Sequence, residues 1–440
     1  MAPTDRPSGS TGSGDEGQKS NNSFRGIITD RRTLLQATAA VGGLSLSGCL
    51  NQLGGGGSGN VKIGAPLPTS GSFAAYGNNH KSAIKLAVKH ANEQGDAGDR
   101  EVEVEFADTK GDPSTGRQAA QELINNDADF LSGNYSSAVA LSIGELAQRR
   151  GLIYQCVGGS NAITGSECHP YVFNTGNSAV QQSVTMPYML KERGGKSVFI
   201  IYSDYAWAQS YMEWNKNHAI PDSGGKVVGT QAVPLGTNDW SQPVTNARDS
   251  GADHIHFAVT GTDLVGGVTQ AFEFGLQKES YISAAAATLS DVKSIGIDIM
   301  SHKNFYPGGT VWYWEHSTPG AQEFSSAFRN EYNTVPLNFS ACHYAGTRTV
   351  LKTIGEVGST NPDDLRSELE GKQLSPQLWG VGEKYRACDH RATISTMIVQ
   401  AKQGLSQQNI DSGSVYTILD YPKNPESVMR SCEETGCQME

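Results

Sequence analysis

The sequence predicts an α/β protein of two doubly wound parallel-sheet lobes, and three observations carry that prediction. Short apolar runs alternate with helical periodicity along most of the chain, the pattern of parallel strands covered by helices on both faces. The series pauses near Asn177 and starts again. The chain has 440 residues, more than one hydrophobic core usually serves.

Val61–Pro68 is a short β-type run closing in a Pro-rich turn. Ala83, Ile84, Ala87, Val88 and Ala91 then recur at helical spacing, with Gly95 as a stop. Val102, Val104 and Phe106 alternate with acids as a strand, and a helix follows over about 114–125. Asp129–Gly133 ends another strand, 137–150 is helical, and Leu152–Tyr154 is the next strand. In the second series, Ser197–Tyr202 is a strand followed by a helix through about Trp214. Val227-Val228, His254–Phe257 and Tyr281–Ser283 add further strands. In such sheets a ligand binds at the carboxyl ends of the strands, here in the crevice between the lobes.

The N-terminal region carries a different message. Arg31-Arg32 precede an apolar stretch too short to span a bilayer, which needs about 20 residues. Paired arginines ahead of a short apolar core mark a twin-arginine export signal. Residues 1–48 therefore read as a disordered Ser/Gly/Asp-rich start followed by that signal. Leu46-Ser47-Gly48-Cys49 resembles a lipobox, with cleavage before Cys49 and a lipid on it. Residues 49–60 then form a Gly-rich tether. The expected product is a domain exported folded and held by its lipid to the outer face of the membrane.

Cleavage would remove 48 residues carrying one net positive charge, leaving 392 residues at a net charge of −12. That balance argues against a nucleic-acid partner, whose phosphates need Lys and Arg. Six further cysteines, Cys156, Cys168, Cys342, Cys388, Cys432 and Cys437, suit disulfides in an exported protein. The short loops suggest Cys156 with Cys168 and Cys432 with Cys437, leaving Cys342 with Cys388. Zinc is disfavoured because no Cys-x-x-Cys occurs.

Several segments together resemble one family. They are Pro66–Gly77 (Pro-Leu-Pro-Thr-Ser-Gly-Ser-Phe-Ala-Ala-Tyr-Gly), Asp108–Pro113, Gly133–Ser137, Ile201–Ala206 and Pro234–Ser241. Ala271–Leu276, Trp312–Glu315, Phe324–Tyr332 and Arg386–His390 follow in order. The chain from 61 to about 402 is similar to the branched-chain amino acid-binding family of ABC-transporter solute receptors, which includes amide, urea and aromatic-acid receptors. One departure is Ala208, where the family usually has Gly. The resemblance implies a type I periplasmic-binding-protein-like fold, with lobes joined by three crossing hinge segments. It places lobe 1 at 61–178 and 311–375, lobe 2 at 179–310 and 376–425, and leaves 426–440 as a tail without a role.

A ligand carboxylate needs hydroxyl donors and free backbone N–H groups, which gather where a strand feeds a helix N-terminus. Ser136 and Ser137 sit at such a point, and Ser137 matches the family's carboxylate-binding serine; a plain helix cap is the competing reading. Gly158, Gly159 and Ser160 are placed to offer N–H groups, or simply form a tight turn. Tyr76 is a candidate lid, against packing on its lobe. Tyr205 is a candidate second-lobe wall, whereas the neighbouring Asp204 suits a helix cap. Thr262 and Asp263 follow a strand end where the resemblance implies a ligand contact. Asp263 or Asp291 could pair with a ligand ammonium, though neither matches the family's ammonium-binding acid cleanly. Trp312, Tyr313 and Trp314 suggest an aromatic patch, part of which is core.

Rival signals are weak. Gly54-x-Gly56-x-x-Gly59 matches a dinucleotide fingerprint but lies in the tether with no strand ahead. His254 and His256 share a strand face without a third metal ligand. No Gly-x-Ser-x-Gly, Walker loop or His-Glu-x-x-His occurs. No enzyme activity, metal or cofactor is expected. The reading is a monomeric solute-binding lipoprotein that delivers a small carboxylate-bearing ligand to an ABC permease and ATPase. The alternative is a ligand-sensing module of a signalling system on the same fold.

Overall fold

The computed structural model describes residues 59–439. The expected Arg31-Arg32 signal, the lipid-bearing Cys49 and most of the 49–60 tether lie outside the described residues. Among the described residues no helix is long and apolar enough to cross a membrane.

The first lobe opens with β1 (Val61–Leu67), α1 (Ala74–Gln94), β2 (Val102–Asp108) and α2 (Pro113–Asn125). It continues with β3 (Phe130–Gly133), α3 (Ser137–Arg150), β4 (Tyr154–Cys156) and β5 (Val172–Asn174). These strands pair in parallel in the order β2-β1-β3-β4-β5. The local chemistry is legible: Asp112 caps α2 by accepting from Thr115 N at 2.7 Å, with Pro113 at the first helical position.

The chain crosses through α4 (Ala179–Gln182) and α5 (Thr185–Arg193) into the second lobe. There follow β6 (Ser197–Ser203), α6 (Ala206–Trp214), α7 (Ile220–Asp222), β7 (Lys226–Val233) and α8 (Ser241–Asp249). Next come β8 (His254–Ala258), α9 (Thr262–Glu273), β9 (Tyr281–Ala284), α10 (Leu289–Ile295), α11 (Ile297–Met300) and β10 (Phe305–Tyr306). This sheet is also parallel, in the order β10-β9-β8-β6-β7. Both sheets therefore have the alternating, doubly wound architecture that the apolar runs predict.

A second crossing runs through β11 (Gly309–Thr310) to α12 (Pro319–Tyr332), α13 (Asn338–Val357) and α14 (Pro362–Leu369). Helix α13 packs along α1 and returns the chain to the first lobe. A third crossing enters β12 (Met397–Ala401), then α15 (Gln407–Ser412) and β13 (Tyr416–Asp420), and the last helix is α16 (Cys432–Thr435). Strands β11, β12 and β13 form a small antiparallel sheet at the hinge.

Residues 376–395, assigned from the sequence to the second lobe, bond instead to the edge of the first sheet. Ala392 N donates to Asn174 O, Asn174 N donates to His390 O, and the His390 ring stacks on Phe173 at 4.0 Å. Aligned segments give order along the chain, and such edge bonds leave no mark in periodicity.

The expected cysteine pairing is corrected. Cys168 bonds to Cys437 and Cys388 to Cys432, while Cys156 and Cys342 are free and buried. Cys156 is an interior strand residue and Cys342 an inward-facing residue of α13, both fully inaccessible, so no surface segment reaches them. The 426–440 tail supplies both partners. From the hinge strand β13 it runs to loops beside the first sheet, where both disulfides hold it. Trp312 and Tyr313 are core, against Phe324 at 5.5 Å and Tyr416 at 5.5 Å. Trp314 donates to Gly413 O at 2.9 Å, so this trio forms hinge packing.

Candidate functional site: a cavity between the lobes

Strand ends converge on one cavity. After β3 come Tyr135 and Ser137, after β4 come Val157, Gly158 and Gly159, and Gln182 enters from the first crossing. From the second lobe come Tyr205 and Trp207 after β6, Thr260 after β8, and Ala286 and Thr288 after β9. Asn338 and Phe339, at the start of α13, complete the lining. Each sheet reverses its strand order at the mouth, β1/β3 in one and β6/β8 in the other, where open α/β sheets hold ligands.

Ser137 is the polar centre of the first wall. Its Oγ accepts from Gly159 N and Ser160 N, each at 3.1 Å. Two peptide N–H groups thus meet on one oxygen. Among the described residues this hydroxyl donates no hydrogen bond, so its proton remains for a ligand acceptor. Gly159 has a second requirement: a Cβ there would lie 2.3 Å from Trp207 Cδ1 and 2.9 Å from Gln182 Nε2. Only glycine lets the second-lobe Trp207 come so close. Ser160 lies just outside the lining, with its Oγ 3.1 Å from Ser210 Oγ across the cleft. Ser136 is buried at the N-terminus of α3 but makes no side-chain cap and does not line the cavity.

The second wall is aromatic and hydroxylic. Tyr205 OH lies 3.4 Å from Thr260 Oγ1, and burial pushes its phenol well up. Tyr135 and Phe339 meet edge-on at 5.6 Å on the facing side. The sequence reading missed Tyr135, Gln182, Trp207, Thr260, Thr288 and Phe339. For Thr260 a signal was available, because it lies two residues past the end of β8 at Ala258.

The other expected residues have different roles. Tyr76 is a latch between lobes: its OH donates to Asp291 Oδ1 at 2.6 Å and accepts from Gly261 N at 2.8 Å. Gly261 needs its positive φ of 65° there, and a Cβ would meet Ser72 O at 2.9 Å. Asp291 also accepts from Thr288 N at 2.8 Å, closing a capping box on α10. Burial pushes the Asp291 carboxyl up to about 6, against the lowering effect of these hydrogen bonds. Asp263 is corrected too: it accepts from Gly236 N at 3.0 Å and Ser203 Oγ at 3.1 Å and clasps a loop away from the cavity. Thr262 is exposed on α9 and does not line the cavity. A strand end fixes where a loop begins and leaves open which of its residues turns inward.

His254 and His256 have structural partners, whereas the buried His80 ring, 5.6 Å from Tyr135, has no hydrogen-bond partner among the described residues. His256 Nδ1 lies 2.8 Å from Ser283 Oγ and His254 Nε2 lies 2.6 Å from Gly194 O. Burial pushes His256 down to about 3. Among the described residues no group of three or more His, Cys, Asp or Glu could hold a metal.

Two parallel α/β lobes that close on a cavity at their strand ends define a clamshell binding protein. The chain belongs to the Periplasmic binding protein family, whose profile matches residues 60–407. It is 28% identical over 311 residues to the Leu/Ile/Val-binding protein homolog 6 of Brucella melitensis, covering 68% of this chain and 76% of that protein. A periplasmic binding protein from Burkholderia mallei superposes with a TM-score of 0.78 at 24% identity, over 87% of this chain and all of that one. A solute-binding protein of an ABC transporter from R. palustris, solved with 4-hydroxybenzoate, gives a TM-score of 0.73 at 21% identity, over 83% and 98%.

Proposed function

We propose that this protein is the extracytoplasmic solute receptor of an ABC importer. It binds a small carboxylate-bearing molecule between its lobes, either a branched-chain amino acid or a related amide or aromatic acid. One observation carries this reading: the convergence of the Gly159 and Ser160 N–H groups on Ser137 Oγ, with an undonated hydroxyl proton facing an aromatic cavity. That hydroxyl, polarised by two N–H groups, suits a carboxylate oxygen, and the Tyr135, Tyr205, Trp207 and Phe339 rings suit an apolar body. Family membership supports receptor work rather than signalling. The names of its relatives, Leu/Ile/Val-binding in one case and a 4-hydroxybenzoate complex in another, span the same ligand range.

Ligand binding stabilises the closed arrangement held by Tyr76, and a permease with its ATPase distinguishes closed from open receptors. The Arg31-Arg32 segment exports the chain, and lipidated Cys49 holds the monomer at the outer face of the membrane. The test is titration calorimetry against amino acids, hydroxybenzoates and their amides, with mass spectrometry of the recovered ligand. Micromolar binding of one class, recovered intact, supports the receptor. Silence across the panel, or turnover of the ligand, defeats it.

A further inference from the structure

Behind the first wall lies a buried cation, Arg391. Arg391 is only 2% exposed. Its Nη1 donates to Gly158 O at 3.3 Å and Gly176 O at 2.8 Å, and its Nη2 to Ser160 O at 3.0 Å. Its Nε donates to Thr164 Oγ1 at 2.8 Å. Among the described residues no carboxylate forms a salt bridge with it. The neighbouring Asp389 is engaged by Arg386 and accepts from the Arg391 backbone N–H. A buried, unmatched guanidinium is costly, and burial already pushes its pKa down to about 10.

The geometry gives that cost a purpose. In a trans peptide the C=O and N–H point opposite ways. Gly158 O is held from behind by Arg391 and, at 2.9 Å, by Asn174 Nδ2, which together turn the Gly159 N–H forward, onto Ser137 Oγ. Holding Ser160 O turns the Asn161 N–H to Ser210 Oγ of the second lobe, at 3.4 Å. The cavity lining has no Asp, Glu, Lys or Arg, and the two nearby acids, Asp263 and Asp291, are committed to Gly236, Ser203, Thr288 and Tyr76. Positive charge stands behind one end of the cavity, and no anion is free at the other.

We propose that Arg391 is a positioning residue that aims the Gly159 N–H and offsets the charge of the ligand, so that the ligand is a monocarboxylate anion without an ammonium group. This rests on the receptor reading and narrows it. The probes are 4-hydroxybenzoate with 4-hydroxybenzamide, and 4-methylpentanoate with leucine, against the wild type, Arg391→Lys and Arg391→Gln. Amide hydrogen exchange at residues 157–161 is followed in the ligand-free proteins. Wild type should prefer each ammonium-free acid by at least about tenfold over its amide or amino-acid counterpart. Arg391→Gln should lose that preference and exchange faster at Gly159. Arg391→Lys should exchange faster yet keep most of the preference, which a purely structural role would not give; it also serves if the Gln variant does not fold. Leucine binding more tightly than 4-methylpentanoate, or unchanged exchange in both variants, overturns the proposal. Failure of every probe to bind wild type defeats the receptor reading for these ligands, while the exchange rates still judge what Arg391 holds.

Discussion

On the first-lobe side of the cavity the polar atoms are peptide N–H groups gathered by Ser137, with the Arg391 guanidinium behind them and the disulfide-anchored tail beyond. On the second-lobe side they are the hydroxyls of Tyr205, Thr260 and Thr288, while the acids nearby serve loops and caps. Peptide donors fixed by carbonyl bonds cannot turn, so the first wall sets the charge and orientation of what it accepts. Hydroxyls rotate to donate or accept, so the second wall adapts to shape and is free to leave when the lobes part. Rigid chemistry lies on one side and closure on the other.

The strongest way to break that division is to stop the walls from meeting. Gly159→Val puts a branched Cβ where Trp207 Cδ1 stands 2.3 Å away. The severest clash is with the second lobe and is made on closure, while Gln182 Nε2 on the first crossing, 2.9 Å away, must also give. Affinity should fall by more than about a hundredfold, with the melting temperature of the ligand-free protein lowered little. Small-angle scattering should stay open at any ligand concentration. A variant that still closes would show that the first wall yields as readily as the second.

The Tyr76 latch sharpens the comparison from the other side. Tyr76→Phe strands Asp291 Oδ1 and Gly261 N in a buried place, at about 1–3 kcal/mol for each group left unpaired, so affinity should fall at least about tenfold. The same contact predicts a pH dependence. In the closed lobes Asp291 is buried, with its carboxyl raised to about 6, and opening that exposes it should return it to near 4. The closed form then holds the proton more tightly, so its advantage is complete below about pH 4 and is lost as pH rises through about 6. Between pH 5 and 7.5, where the carboxylate of the ligand stays ionised, affinity should drop about tenfold. Asp291→Asn should flatten the profile.

The same asymmetry marks what the sequence could disclose. The lobes were legible because most strands of both sheets are short apolar runs followed by a helix. Ser137, Gly158 and Gly159 were legible because backbone donors at a strand-to-helix turn are local features. Arg391 was not, because it meets Gly158 and Ser160 across sequence separations of 233 and 231. Nor were the disulfides: loop length favours near pairs, but burial removed Cys156 and Cys342 and left the exposed loops to the tail. Asp263 and Asp291 misled for a related reason. A buried acid needs a partner, and the sequence cannot show that loop N–H groups and Tyr76 are already that partner.

The tail offers a milder test of how firmly the first wall is held. Arg430 Nη2 donates to Asn161 O at 2.9 Å, and Cys437 bonds to Cys168 on the same loop. Cys437→Ser should cost about 2–4 kcal/mol of stability, read as a lower denaturation midpoint. Affinity should weaken only a few-fold, because Arg391 still holds the 158–160 peptides. Loss of affinity as large as that of Gly159→Val would mean that the tail, rather than the guanidinium, fixes those donors.

The smallest effect belongs to the second wall. Thr260→Val removes a hydroxyl that lies 3.4 Å from Tyr205 OH and faces the cavity, and leaves shape nearly unchanged. Tyr205 can rotate its proton to another acceptor or to water, so the cost should stay near the net worth of one neutral hydrogen bond, about 1 kcal/mol. Calorimetry should show a change of about fivefold, with Thr262→Ala, on the exposed face of α9, showing none. A larger loss at Thr260 than at Tyr76 would reverse the assignment of roles, since it would place a fixed, ligand-orienting donor on the wall that moves.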